Sequence, residues 1–585
     1  MQKLARACYR HRRVVLAVWI LLLVGLSVAS SQAGGVFKVQ QGLPNSESQR
    51  AFATLKERGF GERAGASAQI VFTDASGVRT PTVQAAMDGL FRSVEQKVSN
   101  AQIVSPFQAG RERQISKDGT IAYAELNLRD RSSADFESVA TTVKELRDQV
   151  RVPGLQIELG NEIFKEQKFG SEAIGIGLAM IILLVAFGSL LAMGLPIATT
   201  MFGIGCGVAV VSLVANVFNM PNFTTQATLM VSIGVGIDYA LFIVTRYREN
   251  LALGHAPESS VVMALDTAGR AVLFAGSTVI ISLTGLLILN TETFRGVAIG
   301  IIIGALFTML GSVTLLPALM GFVGTNIDRF GLPHRDRTDS DRPPFWNRWS
   351  KLVQRRPWPA FIGALVVLLV VAAPVFSMRL GFGDAGNEPT SSTTRKAYDL
   401  LAQGFGPGFN GPILIAAETP GGSGDLEVLN QLSADVNRTS GVAFATPAQP
   451  NAEGTAAVMQ VFPSTAPQDK ATSDLVDTLR QRVVPDAIKG STVTASVGGF
   501  PAAVNDFASY TARMLPVVVG FVLLLSFILL MVVFRSLLVP LKAVIMNLLS
   551  VGAAYGVMVA VFQWGWGASW IGVGKEGPIE SWAPL

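Results

Sequence analysis

Long apolar runs separated by polar segments dominate the pattern of this chain. Nine of these runs reach the roughly 20 residues that a helix needs to cross the hydrocarbon core of a bilayer. They lie at residues 14–32, 172–191, 195–217, 223–245, 271–289, 296–320, 358–377, 514–533 and 541–563. The pattern therefore predicts a polytopic α-helical membrane protein.

The composition supports this prediction and argues against other classes of protein. Hydrophobic residues make up 50% of the 585 positions and charged residues only 15%. The net charge of +5 is small for this length, and the basic residues crowd into certain loops, which argues against a nucleic-acid partner. The three histidines lack the spacing of metal ligands, so no zinc site is expected.

Basic residues predict the orientation of the spans. They all fall on one side of the membrane if the N-terminus is cytoplasmic: the basic start, the Arg246–Arg270 loop, residues 329–356, and Arg535 with Lys542. The expected location is the plasma membrane, with residues 33–170 and 378–512 outside. A signal peptide is the alternative reading of the start, but residues 30–35 make a weak cleavage site.

These spans divide the chain into eight segments. The predicted segments are an N-terminus with the first span (1–32), a porter-like extracytoplasmic domain (33–170), a five-span bundle (171–322), a cytoplasmic linker (323–356), the seventh span (357–377), a second porter-like domain (378–512), the eighth and ninth spans (513–563) and an extracytoplasmic loop (564–585).

The two halves of the chain follow one plan. "HRRVVLAVWILLLV" is echoed by "QRRPWPAFIGALVVLLV", Gly59-Phe60-Gly61 by Gly404-Phe405-Gly406, and "FGSLLAMGLP" by "FRSLLVPLK", at offsets of 343, 345 and 347 residues. This order predicts a tandem duplication. The second half is incomplete in this prediction, because two spans follow its outside domain where five follow the first.

Each outside domain alternates helical and strand-like patterns. The first has helical patterns at 46–58, 82–98 and 133–150 among the strand-like "AQIVF", "TIAYAELNL" and "LQIELG". The second has helical patterns at 391–403, 425–438 and 471–485 among "PILIAA", "AAVMQVF" and "VTASV". Such alternation predicts two α+β domains of the ferredoxin-like kind.

One carboxylate lies inside a predicted span. Asp238, in "LMVSIGVGIDYALFIVTRYREN", is the only acidic residue in any predicted span interior, and no basic residue accompanies it there. Arg246 lies eight positions further along the helix, which places Asp238 roughly 12 Å from the cytoplasmic end. Inserting such an acid costs about 2.5–3.5 kcal/mol, so we expect it to face protein or water and to bind and release a proton.

Several neighbours suit a proton relay. Gly234 and Gly236 permit close helix approach, and the Tyr239 hydroxyl lies at a similar depth. In the next span, Ser277 and Thr278 offer further hydroxyls for a seam between helices. The alternative is an interhelical hydrogen bond without any role in transport.

Two phenylalanines and one motif leave other readings open. Phe60 and Phe405, each between glycines, are candidates for a hydrophobic substrate path, although a role in a turn and a core is favoured. "GVGID" is close to a Gly-x-Gly-Asp protease motif, but no second aspartate lies in any span. A P-loop for ATP is absent from the sequence, so the energy is expected to come from an ion gradient or from another subunit. We expect no enzyme and no cofactor, and with Asp238 as a proton-binding group we expect a proton gradient as the energy source.

The sequence resembles the MMPL family of actinobacterial transporters, within the resistance–nodulation–division superfamily. The residues that carry the resemblance are "GVGIDYALFIVTRYRE", the two arginine-pair spans, both outside domains and "GPIESWAPL". The resemblance implies proton-driven export of a membrane lipid or another hydrophobic small molecule. It also implies a relay of Asp238 and Tyr239, with Phe242 beside it.

The family pattern has twelve spans and a second Asp-Tyr pair, which this chain does not reach. We therefore expect a truncated or split member that lacks the last three helices, with a second polypeptide supplying them if it is active. A membrane scaffold or lipid sensor that does not transport is the alternative.

Overall fold

The computed structural model describes residues 1–35, 37, 43–60, 66–128, 133–165, 171–221, 223–289, 291–329, 345–571 and 573–584. Gly61 of the first glycine–phenylalanine–glycine motif and His334 in the predicted linker lie outside these residues. The helices up to the end of the first bundle are α1 (Gln2–Arg10), α2 (Arg12–Ala33), α3 (Glu47–Glu57), α4 (Pro81–Lys97), α5 (Ser133–Gln149), α6 (Ser171–Phe187), α7 (Leu190–Val214), α8 (Thr224–Ala252), α9 (Pro257–Ala264), α10 (Arg270–Leu283) and α11 (Glu292–Val323). They continue with α12 (Phe345–Arg355), α13 (Pro357–Ala372), α14 (Thr393–Phe405), α15 (Ser423–Arg438), α16 (Lys470–Thr478), α17 (Val484–Ala487), α18 (Phe500–Phe534) and α19 (Leu538–Met558).

The strands lie between these helices. They are β1 (Ala66–Thr73), β2 (Ala101–Val104), β3 (Ile121–Leu128), β4 (Gln156–Gly160), β5 (Leu380–Gly381), β6 (Ile413–Glu418), β7 (Val442–Ala445), β8 (Gln449–Pro450), β9 (Ala456–Pro463), β10 (Thr494–Gly499) and β11 (Ile579–Glu580). The chain forms two compact units, one of residues 1–40, 168–368 and 516–548, the other of residues 41–167, 369–515 and 549–585.

The first unit is helical. Across the described part of the chain, eight helical segments are long and apolar enough to cross a membrane. They are Arg12–Ala33, Leu190–Val214, Thr224–Ala252, Pro257–Leu289, Glu292–Asp328, Pro357–Ser377, Phe500–Phe534 and Leu538–Gln563. The ninth predicted run, 172–191, corresponds to α6, whose apolar part Gly175–Phe187 is shorter. These helices establish a polytopic helical architecture.

A glycine and a serine separate α6 from α7. Gly188 has a positive φ of 64°, a conformation that favours glycine. The Ser189 hydroxyl then accepts from the backbone N–H of Ala192 at 3.5 Å, as an N-cap, and donates to the carbonyl of Ile327 at 2.6 Å. One residue thus begins α7 and joins it to the segment after α11.

Glycines bring α7 and α11 into close contact. A methyl group at Gly203 would come within 2.8 Å of the Cα of Thr308, and one at Gly207 within 3.1 Å of the Cα of Gly304. Small residues let helix backbones approach closely in membranes, where packing rather than burial from water holds helices together. The two glycines, one turn apart, define the α7–α11 contact.

In the second unit, the first sheet has the strand order β2-β3-β1-β4, with every neighbouring pair antiparallel. Alternate residues point to opposite faces of a strand. Ile70 and Phe72 of β1 and Leu126 of β3 point to one face, where they form a core with apolar residues of α4 and α5. Val71, Ile121 and Tyr123 belong to the other face.

The second sheet has the order β7-β9-β6-β10, again antiparallel throughout, with β8 added beside β9. Ile415, Met459 and Val461 build a core with Leu429 and Leu432 of α15 on one face. The strand order matches that of the first sheet, strand for strand.

The two sheets exchange one helix each. α3 precedes the first sheet in the chain but packs on the second, where Ala51 and Leu55 join Ala416, Ala456 and Val458. The carboxylate of Glu47 also accepts from the backbone N–H of Val497 at 2.8 Å.

α14 makes the reciprocal contact. It precedes the second sheet but packs on the first, with Ala397 and Leu401 against Val71 and Ile121. The Thr393 hydroxyl donates to Glu158 at 2.6 Å and accepts from the Leu159 N–H at 2.8 Å. Each sheet is therefore covered on both faces.

Candidate functional site

Helix α8 carries Asp238 on an exposed stripe of residues spaced four apart. Gln226, Met230, Gly234, Asp238 and Phe242 all lie on this stripe, because four residues make slightly more than one helical turn. Met230 is 58% exposed and Phe242 60% exposed. We call these five residues the exposed stripe.

Asp238 lies on the surface of the chain rather than in its interior. Within the described part of the chain, its carboxylate accepts no hydrogen bond and forms no ion pair. Its expected place was against protein or water, and the first unit leaves it uncovered. A bare carboxylate at this position in a membrane-spanning helix is costly, so the exposed stripe requires a polar or protein partner in the bilayer.

Tyr239 points the other way. Adjacent residues of a helix project about 100° apart, and the ring of Tyr239 is only 7% exposed, in the core that also contains Met309 and Val272. A methyl group at Gly276 of α10 would lie 3.4 Å from the ring. The Tyr239 hydroxyl has no hydrogen-bond partner among the described residues. The predicted Asp-Tyr pair is adjacent in sequence but does not share a hydrogen bond.

A second, buried stripe of α8 escaped the sequence analysis. It consists of Thr224, Thr228, Ser232 and Gly236, all buried and again four residues apart. The three hydroxyls, like that of Tyr239, have no hydrogen-bond partner in the described part of the chain. The four-residue spacing of small polar residues was the signal available in the sequence.

The hydroxyls of this buried stripe face glycines of α11. A methyl group at Gly304 would overlap the Ser232 Oγ, and one at Gly300 would come within 3.0 Å of the Thr228 Oγ1. Across the α7 contact the arrangement is reversed, since Gly236 faces Thr200, whose buried hydroxyl also has no partner among the described residues. The contact is therefore tight as well as polar.

Other buried hydroxyls in the same helices bond to their own backbone. Thr199, Thr308 and Ser312 donate to the carbonyl four residues earlier at 2.8, 3.0 and 3.0 Å. A buried polar group without a partner costs about 1–3 kcal/mol. The hydroxyls around α8 are thus free to bond to water or to a shifted neighbour, whereas those of Thr199, Thr308 and Ser312 are already satisfied.

The two predicted glycines differ in their surroundings. Gly236 is buried, and a methyl group there would meet the Thr200 Cγ2 at 2.7 Å. Gly234 belongs to the exposed stripe, with nothing within 4 Å of a methyl group. Of these two glycines, Gly236 alone permits a close helix contact among the described residues.

The predicted hydroxyls of α10 do not bond to the Asp-Tyr pair. Ser277 is exposed, and Thr278 donates to the carbonyl of Phe274 at 2.9 Å, within its own helix. Neither residue forms a hydrogen bond with Asp238 or Tyr239 in the described structure.

The two predicted phenylalanines of the outside domains lie in packed clusters. Phe60 is 8% exposed in the apolar contact between α3 and the second sheet. Phe405 is half-buried, stacked on Phe409 at 4.8 Å and edge-on to Tyr123 at 5.3 Å. The core role that was favoured for both residues fits these positions.

Comparisons with known proteins cover nearly the whole chain. The sequence model of the MMPL family matches residues 40–360 and 425–571. "Membrane protein YdfJ" of Bacillus subtilis is 33% identical over 589 residues, which span 98% of this chain and 79% of that protein. "Mycolic acid-containing lipids exporter MmpL11" of Mycolicibacterium smegmatis is 29% identical, over 97% of this chain and 61% of that protein.

A solved structure shares the fold. The hedgehog release protein Disp of the water bear Hypsibius dujardini aligns with a TM-score of 0.54 over 96% of this chain and 86% of that one, at 15% identity. With its apolar helices, the chain is a multi-pass protein of the plasma membrane. The extent of the family match, over both the helical and the α+β segments, shows that the chain belongs to the MMPL family.

Proposed function

We propose that this chain exports a lipid or another hydrophobic molecule across the plasma membrane, driven by the proton gradient, and that Asp238 is the proton-binding group. The observation that carries the proposal is a lone carboxylate in the middle of an apolar membrane helix, with no cation among the described residues to neutralise it. The naming of the Mycolicibacterium relative as a lipid exporter supports the choice of cargo.

Charge gives Asp238 its role in this mechanism. The protonated carboxyl is tolerated in a nonpolar environment, while the carboxylate requires water or hydrogen-bond donors. Proton binding and release at Asp238 therefore change which surroundings the exposed stripe prefers. Tyr239, whose unpartnered hydroxyl lies on the adjacent face, is the proposed second relay group, and Phe242 shields the carboxyl one turn away.

The N-terminus is cytoplasmic in this proposal. Arg246 and Arg248, at the end of α8, then lie on the cytoplasmic side, as the bias of basic residues towards that side requires. The α+β domains lie outside, where they receive the cargo and carry it away from the membrane.

Further helices cover the exposed stripe in the working transporter, in our proposal. The chain spans only 61% of the length of the Mycolicibacterium relative, so that relative has additional chain that could supply them. The same polypeptide or a second one would bring its own Asp-Tyr pair opposite Asp238. The exposed stripe of α8 supports such a contact, because a methyl group at Gly234 would have nothing within 4 Å.

We also infer that the two halves arose by duplication of one unit with a ferredoxin-like outside domain. The support is the common antiparallel strand order of the two sheets and the position of the exchanged helices: α3 comes before β1, and α14 comes before β6, the first strand of the second sheet.

The test compares Asp238→Asn with Glu249→Gln, a control that removes an exposed acid from the same helix. The readout is the appearance of pulse-labelled envelope lipid on the outer surface of cells that lack the chromosomal copy, with and without a protonophore. We expect Asp238→Asn and the protonophore each to abolish export. We expect Glu249→Gln to keep export within about twofold, as for most surface substitutions.

Two other outcomes would contradict the proposal. Unchanged export by Asp238→Asn, at equal protein level, would exclude Asp238 as the proton-binding group. Loss of the variant from the membrane, with Glu249→Gln still present, would instead favour a packing role and the scaffold alternative.

A further inference from the structure

Helix α12 is a basic amphipathic helix. Its sequence, "FWNRWSKLVQR", places apolar residues at positions 345, 346, 349, 352 and 353, one face of a helix, and polar or basic residues at the others. The segment contains no acidic residue. The pattern is that of helices that lie in a membrane surface.

Neither face of α12 is buried by the described chain. Trp349 is 52% exposed and Leu352 is 54% exposed, on the apolar face. Arg348, Lys351 and Arg355 are exposed on the other face and form no ion pair with any described residue. An 11-residue helix of this kind is marginal in water, so it requires a partner that accepts both apolar and cationic side chains.

The first helix of the chain provides an internal contrast. α1 is also basic and amphipathic, but its apolar residues Ala5 and Cys8 are buried in the first unit. Its Arg10 forms an ion pair with Glu258 at 2.9 Å, and its Gln2 donates to Asp266 at 2.9 Å. Among the described residues, α1 therefore has acidic partners and α12 has none.

The position of α12 in the chain places it at a membrane boundary. It ends at Arg355, and the apolar segment Pro357–Ser377 begins two residues later. Consecutive Cα atoms are about 3.8 Å apart, so the last turn of α12 lies within several ångströms of the bilayer. Trp358, 73% exposed in the first turn of α13, is an aromatic residue typical of that interface.

We propose that α12 binds the membrane surface and recognises anionic phospholipids. Trp349 and Leu352 enter the boundary between head groups and acyl chains, and Arg348, Lys351 and Arg355 contact phosphate and other negative groups. Each basic residue near an anionic surface strengthens such binding roughly fivefold. This inference is independent of proton coupling and of the identity of the cargo.

Hydrogen–deuterium exchange of the full chain tests this proposal. The protein is placed in nanodiscs of phosphatidylcholine alone or of phosphatidylcholine with phosphatidylglycerol, and deuterium uptake is measured by mass spectrometry for α12 and for α1. We expect phosphatidylglycerol to slow exchange in α12 by about tenfold or more, because three cations contribute, and high salt to weaken the effect. Exchange in α1 should not depend on the lipid.

Two variants separate charge from insertion. The triple variant Arg348→Gln, Lys351→Gln and Arg355→Gln should lose the difference between the two lipids. Trp349→Ser with Leu352→Ser should exchange faster in both. Equal uptake of the parent protein in the two nanodiscs, or a lipid effect that survives in the triple variant, would overturn the proposal and point to a protein partner. Unchanged uptake in α1 shows in each case that the fold is intact.

Discussion

A half-buried carboxyl group in the second α+β domain shows how single residues respond to pH. The Asp384 carboxylate accepts from the Gly386 N–H at 2.8 Å and from the Tyr398 hydroxyl at 3.0 Å. Burial raises the pKa of Asp384, although Lys575, these two hydrogen bonds and Arg395 oppose the increase. Burial and the neighbouring Asp384 also raise the pKa of Tyr398. The folded chain thus holds the Asp384 proton more tightly than the unfolded chain does.

Asp384→Asn is predicted to change how stability depends on pH. A raised pKa means that the folded state binds more protons in the window above the usual aspartate value, so stability falls as pH rises through that window. The substitution removes this loss. We expect the thermal unfolding midpoint of the variant, relative to the parent, to be higher at about pH 7, above the raised pKa of Asp384, than at about pH 3, below the usual aspartate pKa. A difference that is the same at both values would contradict the assignment.

Asp118 supplies a control, because its pKa shifts in the opposite direction from that of Asp384. Hydrogen bonds from the Ser116 hydroxyl at 2.5 Å and the Thr120 N–H at 3.2 Å lower its pKa. Its contribution to stability is present above the usual aspartate pKa and is lost as pH falls through the lowered value. Asp118→Asn should therefore be most damaging at neutral pH and nearly neutral in strong acid.

Helix α8 illustrates what an element gains from a regular spacing. Its exposed stripe and its buried stripe both repeat every four residues, so one helix presents Asp238 on one side and a row of hydroxyls on the other. The two glycines at Gly234 and Gly236 lie on different stripes. They offer a matched pair for testing which side packs within this chain.

Gly236→Ala is predicted to destabilise the first unit by about 1–3 kcal/mol, since the added methyl group would press on Thr200 of α7. Gly234→Ala should be neutral or stabilising by up to about 1 kcal/mol, because alanine favours the helix and the space is open. Thermal unfolding in detergent measures both. Equal destabilisation would contradict the stripe assignment. Lost export without lost stability in Gly234→Ala would indicate that another helix approaches there.

Much of each element was predictable from the sequence. The helical pattern at 391–403 corresponds to α14 and the one at 82–98 to α4, because apolar periodicity is local information. The short strands β2 and β7 were missed, since four residues carry too little periodicity. The buried stripe of α8 was missed for another reason. Threonine, serine and glycine occur on both exposed and buried helix faces, so their presence does not show whether a face is buried.

The partners of the elements were much harder to predict. The position of Asp238 at mid-membrane stays a prediction. Its exposure depends on which helices surround α8, and that is not local information in the sequence. Which sheet α3 and α14 pack on also depends on residues far away in the sequence. One clue existed: β1 and β6 are apolar on both faces, as in "AQIVF" and "PILIAA", and such strands need cover on both sides.

At the scale of the whole molecule, the exchanged helices make the two α+β domains one folding unit. Each sheet obtains one helical layer from the other half of the chain, through Ala397 and Leu401 in one direction and Ala51 and Leu55 in the other. Neither domain can bury both faces of its sheet alone.

A fragment of residues 43–165 is therefore predicted to misfold. Without α14 it exposes Val71, Ile121 and Tyr123 on one face of the sheet. We expect it to aggregate on expression, and to become soluble with cooperative thermal unfolding when residues 378–515 are co-expressed. The fragment 378–515 alone, which lacks α3, is the matched control and should fail in the same way. A monodisperse, cooperatively melting 43–165 would show that the exchanged layer is dispensable.

The exchange of α3 and α14 also determines when each sheet can be completed during synthesis of the chain. α3 leaves the ribosome roughly 440 residues before β10, the last strand of the sheet it covers, an interval of about 20–90 s at ~5–20 residues per second. Throughout that interval, the apolar side of α3 lacks the sheet that covers it, so proteolysis and aggregation compete with folding. If synthesis stops before Thr393, the first sheet also remains uncovered on one face, because α14 is never made. We expect cells to degrade such incomplete chains quickly, so that the amount of folded protein depends on uninterrupted translation.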